Sequence, residues 1–318
     1  MVETLTGYLN ENRIVARFIH IDQITQLRKN ISDQFKNGLF DKGFYESYLG
    51  YFTIPDLENK RNNGMKSVVL MAVKAKQVNF IFSYNEKKIP VVVPPIYIDK
   101  NNNCNKADDL LTGFLKKHNK KFEYARIPQK LLATSCGIAK YGKNNIAYIP
   151  DFGSYFDLVS YYTDVELSEE EKSLNRIRKN PEVMDRCKTC KICIRSCPSC
   201  AITEDRFLLH AEKCITYHNE QDCGIPFPAW MEESWHNCLI GCNICQKVCP
   251  ENKKINDFVE TGCEFTEKET ELFLKNTPIE KLPESTREKI DTYKLKDNYN
   301  IYDLMPRNLS ALLNNHNT

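Results

Sequence analysis

Between residues 187 and 250 lie two unequal cysteine runs whose spacing constrains everything that can fold around them. The first reads Cys187-Lys-Thr-Cys190-Lys-Ile-Cys193-Ile-Arg-Ser-Cys197-Pro198. The second, Cys242-Asn-Ile-Cys245-Gln-Lys-Val-Cys249-Pro250, is the same run without its opening cysteine. Cysteines two residues apart let neighbouring sulfurs bind different irons of one [4Fe–4S] cube, and the cysteine before proline serves the other cube. The spacing therefore predicts Cys187, Cys190, Cys193 and Cys249 on one cluster, and Cys242, Cys245 and Cys197 on a second. Leu239 stands where the repeat would supply the last ligand, which leaves Cys214 and Cys238 as candidates. Structural zinc would instead ask for separate C-x2-C pairs in fours. Disulfides suit small secreted chains, and 318 residues can bury a core without staples.

The length suggests about two domains. With 42% hydrophobic and 27% charged residues the composition is that of an ordinary globular protein. A formal charge of +2 predicts no broad polyanion-binding surface. The start, Met-Val-Glu-Thr-Leu-Thr-Gly-Tyr, is not a basic segment followed by an apolar one, so no export signal is read. No apolar run approaches the ~20 residues of a membrane helix. Fourteen cysteines without export point to a reducing cytoplasm, where thiolates are available to metal.

Along the chain, Ile24, Leu27, Ile31 and Phe35 form one stripe of a helix over 21–37, with Asp22 as its cap. Residues 44–65 read as irregular, around Gly50 and Pro55. Lys66–Val73 is a continuous apolar run that suits a strand covered on both faces. Residues 78–84 alternate as a second strand and turn at 85–87 into 89–93. Helical spacing returns over 108–117 and from Pro128 to Gly137, and further strands are expected at 145–150 and 156–163. The charged stretch from Val165 to Asn180 reads as a linker helix with Ser168 and Glu171 as a capping box. A helix at 266–276 and a short one opened by Pro306 close the chain.

Clusters carry electrons, so an acceptor is needed, and several are excluded. No G-x-G-x-x-G follows a strand, no G-x4-G-K-[ST] exists for ATP, and no C-x-x-C-H exists for covalent haem. The six histidines are scattered, and no D-x-H-x-x-G run offers one to a corrinoid cobalt. Four stretches, however, resemble epoxyqueuosine reductases. Cys136-Gly-Ile-Ala-Lys-Tyr-Gly142-Lys-Asn144, then Gly153-Ser154 and Tyr162-Thr163-Asp164, are similar to that family's A-G-L-G-x-x-G-K-N, G-S and T-D-L series. Ala211-Glu-Lys-Cys214-Ile-Thr-Tyr217 is similar to its R-C-I-x-Y. Gly241 to Asn252 is similar to its G-C-D-x-C-Q-x-V-C-P-W-N. Pro306-Arg-Asn to Asn315 is similar to its R-N-A-x-x-A-L-G-N. The likeness is continuous from about 125 to 255.

The resemblance implies an α+β chain. A nitroreductase-like α/β domain at 1–165 would bind cofactor and substrate, and a linker helix at 166–180 would follow it. A ferredoxin-like double [4Fe–4S] domain at 181–263 and a helical tail at 264–318 would complete the chain. It further implies cobalamin held without a protein histidine on cobalt, fed with single electrons from a ferredoxin- or flavodoxin-type donor. The epoxide of a modified tRNA base would be reduced to an alkene. By the same resemblance Cys214 completes cluster two, and Gly142, Lys143, Asn144, Gly153 and Ser154 are corrinoid contacts. The bare residues at 142–145 read equally well as a turn.

Three departures separate this chain from the family pattern. The D-S-x-P-x-x-E block before G-K-N, read as carrying the proton donor, is replaced by Glu123-Tyr-Ala-Arg-Ile-Pro-Gln-Lys130, which leaves Glu123 or Tyr124 for that role. Glu251 replaces the tryptophan after Cys-Pro, and the sequence stops where tRNA-gripping helical repeats would begin. These point to a monomeric paralogue with the same electron apparatus and a different, smaller substrate. A ferredoxin-type carrier that reduces a partner's corrinoid protein is the alternative, and a tRNA-binding module with structural clusters is a third class. Cys104, Cys136, Cys200, Cys223, Cys238 and Cys263 are surplus to eight ligands; most read as buried small apolar residues, and Cys200, where ferredoxin-like loops carry glycine, as a loop filler. Trp230, Trp235 and His236 read as shielding for cluster two.

Overall fold

The structure is a computed structural model, and it describes residues 1–49, 57–98, 103–180, 182–296 and 299–315. Gly50, Pro55, His316 and the side chain of Cys104 lie outside the described residues. Nine strands are described: β1 (Ile14–His20), β2 (Ser67–Lys74), β3 (Gln77–Tyr84), β4 (Lys87–Val93), β5 (Phe122–Tyr124), β6 (Lys140–Tyr141), β7 (Ala147–Tyr148), β8 (Phe156–Thr163) and β9 (Val259–Phe265). Mixed helices and strands match the expected α+β class. The chain divides into two compact units, Met1–Lys74 with Asn102–Cys190, and Ala75–Asn101 with Lys191–Thr318. Residues 75–101, inside the span read as one N-terminal domain, thus fold with the second unit.

In the first unit the apolar run at 66–73 becomes β2, an inner strand of the antiparallel order β1-β2-β8-β5. Side chains alternate across a strand, so one apolar run feeds two cores. Val68, Leu70 and Ala72 pack with Ile24, Leu27, Leu132 and Ala133 on one face. Val69 and Met71 pack with Leu5, Leu9, Leu111 and Leu115 on the other. The run is buried on both faces as expected, although its neighbours are antiparallel. The helix Gln129–Ser135 follows Pro128 and ends before Gly137, whose φ of +82° only glycine adopts freely. The capping box at Ser168 and Glu171 is present, but the helix it opens runs only Glu169–Leu174, so the linker helix expected to reach residue 180 is corrected to under half that span.

The span 44–65, expected to be irregular, holds the π-helical turn Tyr45–Leu49 and the helix Leu57–Asn62, and two further expectations are corrected here. The helix placed at 21–37 begins at Ile24, after a tight turn Ile21–Gln23, and Asp22 does not cap it. The Asp22 carboxylate instead pairs with Arg61 at 2.6 Å, which draws it away from the helix end. The strand placed at 145–150 shrinks to the two residues of β7. Turns on either side take up the rest, at Gly142–Asn145 and at Ile149–Gly153.

In the second unit β3 and β4 form the expected hairpin, and β9 joins β3 in parallel. Register shifts between Asn79 and Ile81, opposite Gly262, where a Cβ would lie 2.5 Å from the Phe80 ring. Phe80, Phe82, Phe265, Phe273 and Tyr293 make the aromatic centre of this core. The closing helix runs Ile301–Asn315, with Pro306 inside it rather than opening it. Ile301, Tyr302, Leu304 and Met305 are buried, and that apolar turn extends the helix upstream at the cost of one backbone hydrogen bond. Among the described residues no helix is long and apolar enough to cross a membrane.

Candidate functional site

The two cysteine runs fold alike. Short helices Ile192–Ser196 and Ile244–Lys247 follow the first cysteines of each run and pack on one another. Cys197 and Cys249 then leave their helices extended, at φ −79° and −70°, as the following proline requires. Each bonds back into its run, Cys197 N–H to Ile194 O at 3.4 Å and Cys249 N–H to Gln246 O at 3.2 Å. Cys200 sits at φ +52°, the left-handed place where glycine would be easiest, which agrees with its reading as loop filler.

Cys197 and Cys214 both act on the Cys242 thiol, and Cys197 acts on Cys214. Burial pushes the Cys242 thiol up to about 12, with Cys214 and Cys197 adding to the shift and the Asn237 amide opposing it. Burial likewise raises Cys214, and Cys197 adds to it. Thiols so placed are protonated near neutrality unless a cation replaces the proton, and iron is such a cation. The eight candidate ligands are half-buried, seven of them in the two runs and Cys214 on the segment between them, and among the described residues no three His, Cys, Asp or Glu side chains are drawn closely enough together to hold a metal ion.

Cys238 is different. It is fully buried and its Sγ–H donates to Asn237 Oδ1 at 3.2 Å. Asn237 escaped the sequence reading, yet its amide also donates to Cys242 Sγ at 3.2 Å, and its Oδ1 accepts the Asn243 N–H. No spacing rule marks an isolated asparagine as a sulfur partner. Cys136 is buried in the first unit, with its thiol on Ala133 O at 3.6 Å. His236 is buried against Phe227, and burial lowers its pKa to about 4; Trp230 lies near Trp235 and is 45% exposed.

In the first unit Gly142, Lys143 and Asn144 form the β6–β7 turn. Asn144 is buried, donates to Tyr148 Oη at 2.9 Å and accepts from Ile146 N–H, so its side chain serves the turn. A Cβ on Gly142 would come within 2.7 Å of the Tyr148 ring. Gly153 closes the next turn at φ +57°, followed by Ser154.

Glu123 and Tyr124 lie on edge strand β5, opposite Tyr162 and Tyr161 of β8. Glu123 is ion-paired with Lys60, whose ammonium sits 5.7 Å from the Tyr162 ring centroid. Tyr162 is fully buried, and its hydroxyl has no hydrogen-bond partner among the described residues. Burial, then the Glu123 charge, hold its pKa well above the ordinary tyrosine value. Tyr124 is half-exposed and meets Tyr161 edge-on at 5.7 Å. A separate open groove of about 370 Å³, lined by His20, Gln23, Glu169, Lys172 and Arg176 among others, contains none of the predicted site residues.

Residues 186–252 match the family described as a 4Fe-4S double cluster binding domain. An epoxyqueuosine reductase of Synechocystis is 30% identical over 128 residues, 40% of this chain and 40% of that protein. One from Cyclobacterium marinum is 35% identical over 132 residues, 41% of this chain and 38% of that protein. The aligned stretch is thus under half the length of these curated relatives. An epoxyqueuosine reductase structure from Streptococcus thermophilus covers 100% of this chain and 82% of its own, with TM-score 0.62 and 16% identity. Another, crystallised with an epoxyqueuosine-modified tRNA-Tyr stem loop, covers 99% and 81% with TM-score 0.62 and 20% identity. The fold of this chain is that of these structures, and the resemblance read from its motifs appears in both comparisons.

Proposed function

We propose that the chain is a cobalamin-dependent iron–sulfur reductase of the epoxyqueuosine reductase kind. The observation that carries this reading is the match of residues 186–252 to double-cluster domains, in which the two cysteine runs fold alike around the packed helices Ile192–Ser196 and Ile244–Lys247. Cys187, Cys190, Cys193 and Cys249 would hold the first cluster, and Cys197, Cys214, Cys242 and Cys245 the second. Cys238 is assigned no iron, since its thiol is engaged with Asn237. When bound, the clusters supply electrons singly and cobalamin supplies a low-valent cobalt able to reduce a carbon–oxygen bond.

Gly142, Lys143, Asn144, Gly153 and Ser154 are the proposed corrinoid contacts, on turns made rigid by glycines that leave no room or no alternative backbone. The Tyr162 hydroxyl, buried without a partner among the described residues, supports a polar group from outside the chain on this unit. Reduction of an epoxide to an alkene and water consumes two electrons and two protons. Glu123, held beside Lys60 on an edge strand, is the proposed proton donor, and Tyr124 the exposed ring beside it. The substrate is epoxyqueuosine in tRNA or a smaller epoxide, with tRNA supported by the modified stem loop bound to a structural relative. An external ferredoxin- or flavodoxin-type donor and a monomeric state belong to the same proposal.

Anaerobic turnover of epoxyqueuosine-modified tRNA with added cobalamin and a flavodoxin reductant tests the reading. Formation of the alkene base that is lost in Glu123→Gln supports it. Clusters that reduce an added corrinoid protein, with no turnover of any epoxide, would establish the carrier instead.

A further inference from the structure

Within each cysteine run local spacing sets the geometry, but Cys214 is far in sequence from Cys242, and the connection between them contains little regular structure. Something else must hold that ligand in place. We propose that Arg307 and Asn308, on the helix Ile301–Asn315, are the positioning pair of the second cluster, an inference that rests on Cys214 being one of its ligands.

Cys214 opens the five-residue helix Ile215–Asn219, and the last carbonyls of a helix have no partner within it. Arg307 supplies partners from another element. One terminal nitrogen donates to Asp222 O at 2.9 Å and Ile225 O at 2.7 Å. The other donates to His218 O at 3.1 Å, Asn219 O at 3.3 Å and Gln221 O at 2.8 Å. Its Nε donates to Asn308 Oδ1 at 3.0 Å, and the guanidinium lies 4.3 Å from the centre of the Phe227 ring. A planar fork can serve this many acceptors at once, whereas an ammonium cannot.

Asn308, fully buried, carries the connection onward. Its amide donates to Asn219 O at 2.9 Å and to Leu239 O at 3.0 Å. Asn219 is itself fully buried and donates to Cys238 O at 3.4 Å and Gly241 O at 2.8 Å, the residue before Cys242. The polar relay therefore begins on the segment after Cys214 and ends at the threshold of the second run. Partners beyond the direct ligands orient a metal site, and their loss typically lowers metal affinity about 10–100-fold.

The test uses the full chain, reconstituted anaerobically, as wild type, Cys214→Ser, Arg307→Gln, Arg307→Lys and Asn308→Leu. Iron per chain, the electron paramagnetic resonance of the reduced clusters and the rate of iron loss to a chelator are read, with circular dichroism as the check on folding. Cys214→Ser should lose the second-cluster signal. Arg307→Gln should alter that signal's line shape and speed iron loss about tenfold or more while the first-cluster signal stays unchanged. Arg307→Lys should restore part of both, and Asn308→Leu should give the same signature if Arg307→Gln does not fold. Folded Arg307→Gln or Asn308→Leu with wild-type signals and chelation rate, beside a defective Cys214→Ser, would overturn the positioning role alone. Both clusters intact in Cys214→Ser would overturn the ligand assignment instead.

Discussion

Gly241→Ala should damage the second unit at the point where the backbone enters the second cysteine run. Gly241 has φ +73°, where alanine costs about 1–2 kcal/mol. Its new Cβ would lie 2.6 Å from the Tyr97 hydroxyl and 2.7 Å from Tyr97 Cε2, so the ring must move. Tyr97 cannot move without loss, because its hydroxyl donates to Glu220 at 2.5 Å. Burial raises the Glu220 pKa, and the hydrogen bond from Tyr97 opposes that rise. Abandoning it takes that donor from the half-buried Glu220 carboxyl, at about 1–3 kcal/mol. The substitution should therefore destabilise by roughly 2–5 kcal/mol in denaturant unfolding at constant slope. Gly241→Ala in a Tyr97→Leu background should cost only the backbone share, about 1–2 kcal/mol, because the clash is gone. An alanine variant within about 0.5 kcal/mol of wild type, or equal costs in both backgrounds, would refute the steric argument.

Glu269 is buried, and although burial alone raises its pKa, the Lys289 ammonium, the Thr266 N–H and the Thr286 hydroxyl together hold it below the ordinary carboxylate value. Its stabilising contribution is thus full above the unfolded pKa and fades as pH falls through the folded one. Glu269→Gln should remove that acid-side slope in melts between about pH 5 and 3, and Glu269→Ala should cost about 3–5 kcal/mol by leaving Lys289 unpaired. Tyr162→Phe should leave cofactor-free protein as stable as wild type or up to about 1 kcal/mol more stable, while weakening cobalamin binding in an absorbance titration. Destabilisation beyond that would mean the hydroxyl has a protein partner. Asn237→Leu removes an N–H donor to Cys242 sulfur, worth about 1 kcal/mol, and should lower the second cluster's midpoint by about 40 mV in a redox titration.

The cysteine runs were legible because ligand spacing is a local constraint that neither core nor topology can override. The strands at 66–73 and 156–163 were legible for a similar reason, since apolar runs declare burial directly. By contrast, β9 reads Val-Glu-Thr-Gly-Cys-Glu-Phe, a polar stretch whose strand character comes only from pairing with β3 far away in sequence. The same pairing moves 75–101 into the second unit, which no local pattern could announce. Asp22 looked like a cap because carboxylates favour that place, but Arg61 competes for it and lies on a distant segment. Arg307 and Asn308 stood inside a quoted motif, yet their carbonyl partners are scattered over 218–239 and appear only once the chain is folded.

Two iron–sulfur cubes and a corrinoid are proposed for this chain. Anaerobic purification with an iron and zinc count, and an absorption spectrum before and after added cobalamin, tests that proposal most directly. About eight irons per chain and a corrin band that stays with the protein through desalting are expected. Eight irons with no retained corrin would contradict the reductase and leave an electron carrier, and zinc in place of iron would contradict the cluster assignment itself.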